Sequence, residues 1–131
     1  MIKAGIIGAS GYTGEILAGL LLRHSGVKLS WATSESHTGK NLGSLYPHLA
    51  GLTDIVLESA DIKKLAGTVD VVFITLPNGM AMDIVPQLLD KGAKVIDLSA
   101  DFRFKDAEVF NKWYKMKHLH PELLSKAVYG L

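Results

Sequence analysis

The chain has 131 residues, 48% of them hydrophobic, with 14 basic against 13 acidic side chains and no cysteine. That length suits one domain with a real core, and a net charge of +1 excludes nucleic-acid binding by bulk electrostatics while leaving room for a local anion site. Without cysteine there is no disulfide, thiolate metal site or Cys nucleophile, a composition that fits the cytoplasm.

Ile2 to Ile7 is an apolar run that reads as a first strand buried on both faces, so no signal peptide is expected. Gly8 to Gly14 form a glycine loop. Thr13 to His24 reads as a helix whose Ile16/Leu20 and Leu17/Leu21 pairs form a broad apolar face. The run Ile16 to Leu22 is too short for a bilayer, which needs about 20 residues, so no membrane partner is expected. Ser25-Gly26 ends this helix and Val27 to Thr33 is a second strand. Ser34 to Thr53 is broken by Gly39, Gly43, Pro47 and Gly51. Ile55 to Leu57 reads as a short third strand, and Asp61 to Leu65 as a short helix capped by Ser59 or Asp61. Val69 to Leu76 is a fourth strand, ended by Pro77-Asn78-Gly79. A helix from about Met80 to Lys91 is expected to kink or restart at Pro86. Lys94 to Leu98 is a fifth strand. Asp106 to Lys117 and Pro121 to Ser125 read as helices, and Ala127 to Tyr129 as the start of another extended piece that runs on at Gly130-Leu131. Short apolar strands alternating with helices predict a mostly parallel, doubly wound α/β sheet with helices on both faces and right-handed crossovers.

The stretch G-A-S-G-Y-T-G, residues 8 to 14, lies between the first strand and the first helix. At that turn of a Rossmann-like sheet one glycine permits the tight turn, a second admits a pyrophosphate, and a third lets the helix pack on the strand. Gly8, Gly11 and Gly14 suit these parts, and Ser10 and Thr13 add hydroxyl donors. The G-x-x-G-x-x-G spacing is a variant, and no Lys-Ser/Thr follows, so this is not a P-loop. The alternative is a tight turn without a ligand. Which dinucleotide is decided after the second strand. Glu35 suits the ribose hydroxyls of NAD, whereas Ser34, Ser36 and Lys40 suit the extra phosphate of NADP, and spacing alone leaves the choice open.

Two further stretches fall at strand ends, where ligands of open parallel sheets sit. Thr75-Leu76-Pro77-Asn78-Gly79 could let backbone skirt a cofactor or be only a turn. Asp97-Leu98-Ser99-Ala100-Asp101-Phe102-Arg103 clusters two carboxylates, a hydroxyl and a guanidinium. Arg103 could grip an anion bidentately, or form an ion pair with Asp97 or Asp101. Trp113 and Tyr114 read as core or interface aromatics. His118 and His120, lacking a third ligand, suit surface or helix-cap positions better than a metal site. Tyr46 and Leu49 are expected to anchor the loop around His48.

The stretches G-A-S-G-Y-T-G-E-I-L, T-S-E-S-H-T-G-K, L-Y-P-H-L, F-I-T-L-P-N-G, K-V-I-D-L-S-A-D-F-R-F and H-P-E-L-L-S-K-A-V-Y-G-L together resemble N-acetyl-gamma-glutamyl-phosphate reductase over the whole chain. The glycine loop is shared with aspartate-semialdehyde dehydrogenase; D-L-S-A-D-F-R is far more specific. The resemblance implies reduction of N-acetyl-glutamyl 5-phosphate to the semialdehyde with NADPH, in arginine biosynthesis, by a homo-oligomeric parent enzyme. It implies that Gly8, Ser10, Gly11, Tyr12, Thr13 and Gly14 hold the pyrophosphate and that Ser34, Ser36 and Lys40 face the adenosine phosphate. Leu76, Pro77 and Ser99 would lie along the route to the nicotinamide, and Arg103 near the acyl phosphate. Glu35 stands where many members have Arg. Asn78 stands where many have His, so no acid–base role is carried to it. In the family a Cys nucleophile follows shortly after Y-G-L. Residues 1–131 are therefore expected to be the N-terminal cofactor domain of a longer enzyme, without a catalytic residue of their own, inactive alone and prone to associate. The alternatives are a free-standing NAD(P)-sensing module or the cofactor domain of a related semialdehyde dehydrogenase.

Overall fold

The computed structural model describes residues 1–130. Its elements are β1 (Ile2–Ile7), α1 (Tyr12–Arg23), β2 (Val27–Thr33), α2 (Leu42–Leu45), a 3-10 turn at Pro47–Leu49, α3 (Ile62–Leu65), a 3-10 turn at Ala66–Thr68, β3 (Val71–Ile74), α4 (Ala81–Asp90), β4 (Lys94–Asp97), α5 (Ala107–Tyr114) and α6 (Pro121–Leu124). The strands form one sheet in the order β2-β1-β3-β4, and every pairing is parallel. The chain leaves β1 toward β2 on one side and returns to β3 on the other. The end of β1 is thus the point where strand order reverses, and the crevice of a doubly wound sheet opens there.

The core lies in two layers. On one face Ala4, Ile6 and Leu29 pack against Ala18 and Leu21 of α1 and against Leu49. On the other, Ile7, Trp31, Val72 and Ile74 pack against Leu65 and against Val85 and Leu88 of α4. Each large aliphatic so buried contributes about 1.5–3 kcal/mol. Leu29 and Trp31 would share a face in a regular strand, yet they enter opposite layers. The register slips between Ala4 and Gly5, which pair with Leu29 and Trp31, so Ser30 is bulged out and the side-chain alternation resets. The Trp31 indole N–H then donates to Thr68 Oγ1 at 2.9 Å.

Several expectations are corrected. Ile55 to Leu57 is not a strand of the sheet. Its segment makes only isolated bridges, Asn41 with Val56 and Thr33 with Glu58, because Leu57 alone is buried while Val56 faces solvent. α1 packs through Gly14, Ala18, Gly19 and Leu21, leaving Ile16 and Leu20 exposed. The close approach at Gly14, described below, sets this rotation of the helix. β1 is buried only from Ala4 onward. α4 runs unbroken through Pro86, whose ring removes only the amide that would have met the Met82 carbonyl. Ala127 to Tyr129 takes no regular structure, and Leu131 lies outside the described residues. Trp113 is exposed rather than core, while Tyr114 stacks on Phe110 with ring centroids 5.1 Å apart.

One region of the sheet is uncovered. On the α1 face, beyond the reach of that helix, Ile2, Val71, Phe73 and Ile96 line an open depression of about 910 Å³, and Ile96 on the edge strand β4 is 47% exposed.

Candidate nucleotide site at the end of β1

The three glycines of the loop occupy three different environments. Gly8 has φ of +94°, in the left-handed region, and a Cβ there would stand 2.8 Å from Leu76 Cδ2 and 2.9 Å from the Thr75 carbonyl oxygen. Gly11 is the N-cap of α1 and supplies no side-chain cap. A Cβ on Gly14 would stand 2.3 Å from the Gly8 carbonyl oxygen and 2.7 Å from Ala9 Cα, so α1 starts in direct contact with the turn. The amides of Tyr12, Thr13 and Gly14 form the first turn, and they have no hydrogen-bond partner among the described residues. Such amides and the helix dipole favour an anion. The side chains of Tyr12 and Thr13 point into solvent.

The loop is fastened from three sides. The Gly8 and Ala9 amides both donate to the Thr33 carbonyl of β2, at 3.2 and 2.9 Å. Thr75 Oγ1 donates to the carbonyls of Ile7 and Gly8, at 3.0 and 2.8 Å. The Tyr46 phenol donates to the Ser10 carbonyl at 2.7 Å, and burial pushes that phenol's pKa up, helped by the nearby Glu15 charge. Tyr46 and Leu49 do anchor their loop, Leu49 being fully buried, but Tyr46 also reaches the glycine turn.

Beside the loop lies a cavity of about 190 Å³ whose lining includes Gly8, Ser34, Glu35, Ala60, Leu76, Met80 and Ile84. Its walls are mostly apolar. Ser34 is nearly buried. Its Oγ shares a 2.6 Å hydrogen bond with Ser10 Oγ and accepts the His37 amide at 3.1 Å. Ser36 and Lys40 are exposed in the segment after β2, and neither lines the cavity; Ser36 Oγ lies within 2.8 Å of His37 Nδ1. The Glu35 carboxylate accepts the Ala60 amide at 2.9 Å. Ala60, Met80 and Ile84 were not singled out in the sequence, since only tertiary folding brings them beside the loop.

The ends of β3 and β4 meet in a second network. Asp101 is fully buried, and its carboxylate accepts the amides of Gly79 at 2.7 Å and Ala81 at 3.0 Å. Asp97 accepts from the Ser99 amide and hydroxyl, at 2.9 and 2.8 Å. Burial raises its pKa above the ordinary value, and the Asp101 charge adds to this against the lowering effect of the Ser99 bonds. Ser99 Oγ also accepts the Asp101 amide at 3.2 Å. Neither carboxylate pairs with Arg103, whose Nη1 donates to Tyr114 Oη at 3.2 Å and whose guanidinium lies 5.6 Å above the Tyr129 ring. Asp97 is held by its neighbour Ser99 and Asp101 by amides of the turn after β3, so neither is left for Arg103. Pro77 is exposed and Leu76 half-buried.

His118 is buried, not on the surface. Its Nδ1 accepts the His120 amide, so Nε2 carries the proton and donates to the Asp101 carbonyl at 2.6 Å. Phe102 and Phe110 meet the ring edge-on. His120 is the N-cap residue of α6 and pairs with Glu122 at 2.9 Å.

Residues 3–131 match the family model described as "Semialdehyde dehydrogenase, NAD binding domain". The chain is similar to N-acetyl-gamma-glutamyl-phosphate reductase of Desulforudis audaxviator, 47% identical over 100% of this chain and 38% of the relative. It is similar to the protein of the same name from Methanosphaera stadtmanae, 52% identical over 99% of this chain and 36% of the relative. The chain thus spans well under half the length of these relatives. Among solved structures it is similar in fold to aspartate semialdehyde dehydrogenase with NADP from Candida albicans, with a TM-score of 0.66 and 24% identity over 79% of this chain and 31% of that one. The variant glycine spacing, the parallel sheet and the match over nearly every residue agree: the chain belongs to the semialdehyde dehydrogenase NAD-binding domain family.

Proposed function

We propose that the chain is the N-terminal cofactor domain of an N-acetyl-gamma-glutamyl-phosphate reductase, a cytoplasmic homo-oligomeric enzyme that reduces N-acetyl-glutamyl 5-phosphate to the semialdehyde. The observation that carries this reading is the start of α1. Three first-turn amides lack partners among the described residues, at an N-cap that offers no side chain of its own. The residues present fit a dinucleotide, because Gly14 lets α1 start against the turn and a Cβ at Gly11 would meet nothing nearer than the Gly8 carbonyl at 4.0 Å. The names of the relatives supply the substrate class and favour this over a free-standing sensor.

Bound NADPH supplies the hydride. The chain's own residues bind and orient it. The amides of Tyr12, Thr13 and Gly14 take the pyrophosphate, with Ser10 bracing the loop through Ser34. The apolar cavity beside Leu76 and Ile84 takes the flat adenine. Ser36 and Lys40, exposed in the segment after β2, meet the adenosine phosphate. Glu35 is engaged with the Ala60 amide, which favours NADP over NAD. Pro77 and Ser99 border the path to the nicotinamide, and Arg103 faces the acyl phosphate. No catalytic residue is assigned within residues 1–131, because thioester formation needs a thiol and the chain has none.

Calorimetric titration of the chain with NADPH and NADH tests the reading. Tighter binding of NADPH supports it. Tighter binding of NADH makes Glu35 a ribose reader, and binding of neither removes the cofactor assignment. Substrate turnover by the chain alone would overturn the placement of catalysis elsewhere.

A further inference from the structure

We propose that Tyr46 is a positioning residue for the dinucleotide pyrophosphate, a role that rests on the cofactor reading above. The Ser10–Gly11 peptide forms the entrance to α1. Its bond is trans, as are all others described, so the Ser10 carbonyl and the Gly11 amide point in opposite directions. The Tyr46 phenol draws that carbonyl toward the α2 side through a 2.7 Å hydrogen bond. The opposite edge of the peptide is then left to its N–H, whose only contact is a long 3.5 Å approach to the Gly8 carbonyl. Were the peptide to turn over, the Ser10 carbonyl would meet the Gly8 carbonyl that the Gly11 N–H now approaches, and the entrance to α1, with the first-turn amides that follow it, would have to shift.

The position of Tyr46 is itself well fixed. The neighbouring Leu49 is fully buried. Arg23 bridges from α1 to the same segment, donating to the carbonyls of Gly19 at 3.0 Å and His48 at 2.9 Å. Arg23 thus ties the end of α1 to the segment that carries Tyr46. Other bonds hold the start of the turn, at Gly8 and Ala9. At Ser10 the side chain is tied to Ser34, and Tyr46 alone fixes the carbonyl.

The test uses the chain itself, wild type and Tyr46→Phe, titrated with NADPH and with adenosine 2′-phosphate, which lacks the pyrophosphate. Phenylalanine keeps the ring and removes only the donor. NADPH affinity should fall roughly five- to tenfold, the size of one lost hydrogen bond, while adenosine 2′-phosphate affinity should change less than about twofold. Equal loss for both ligands would reveal a general structural role and overturn the proposal. Unchanged NADPH affinity would overturn it and leave the cofactor reading standing. Failure of the wild type to bind NADPH would remove the reading and the proposal together.

Discussion

Asn78 and Asp101 cap each other's turns. Asn78 Oδ1 accepts the Ala100 amide at 3.0 Å, while Asp101 returns its carboxylate to the amides of Gly79 and Ala81. The ends of β3 and β4 are thereby locked as one unit, with His118 clasping the Asp101 carbonyl from behind. Asp101→Ala leaves two amides unpaired in a buried site. Each charge-assisted bond is worth about 1.5–3 kcal/mol, so a loss of about 3 kcal/mol or more is expected, roughly 10 °C in Tm. Asp101→Asn, which keeps one good acceptor, should lose less. Scanning calorimetry of both variants checks the order.

Asp97 gives the fold a pH dependence of unusual sign. Its folded-state pKa is raised, chiefly by burial, above the ordinary value of 3.8. A carboxyl raised in this way binds its proton more tightly in the folded chain than in the unfolded one. Its stabilising contribution is fully present below 3.8 and is lost as pH rises through the folded-state value. Denaturant melts of wild type and Asp97→Asn, in steps from about pH 4 to pH 7, should show the wild type losing ground to the variant with rising pH. Parallel curves would contradict the shift.

Cofactor choice is expected to follow the exposed segment after β2. Lys40→Ala and Ser36→Ala should each weaken NADPH binding about three- to tenfold and leave NADH binding unchanged, because an exposed phosphate contact is worth roughly 1 kcal/mol. Calorimetry with both dinucleotides distinguishes this from general damage, which would weaken both.

The uncovered part of the sheet predicts association of the 131-residue chain. Ile96 and Phe73 present apolar surface beside an unpaired edge strand, an arrangement prone to edge-to-edge pairing. Light scattering should show mass rising with concentration, and Ile96→Lys should reduce it. A monodisperse monomer at high concentration would rule this out.

Much of this was legible in the residues. β1 ends before Gly8, and β2 runs between Gly26 and Ser34, because glycine or polar residues there do not continue a buried strand. The α3 cap was readable too, since Asp61 accepts the Lys64 amide as an N-cap should. The bulge at Ser30 was not readable, because V-K-L-S-W-A-T alternates as well in either register and only pairing with β1 decides. Ile55 to Leu57 looked like a strand because propensity is local, whereas membership of the sheet depends on tertiary pairing, and this segment makes only isolated bridges among the described residues. His118 looked like a surface residue because its burial depends on two phenylalanines and a carbonyl from elsewhere. At the site the glycines announced themselves, but Thr75 and Tyr46, which fix the loop, carry no sequence signature: their partners are backbone carbonyls.

The contact between Gly14 and the Gly8 turn has a genetic corollary. Glycine is the one residue without a Cβ, so every missense codon at position 14 places an atom 2.3 Å from a carbonyl oxygen and 2.7 Å from Ala9 Cα. Both obstacles are main chain and cannot swing aside as a side chain would. Even alanine, the mildest exchange, must push α1 away from β1, and with it the amides at its start. Any substitution at position 14 is therefore expected to displace the start of α1 from the glycine turn, and the anion-facing amides with it.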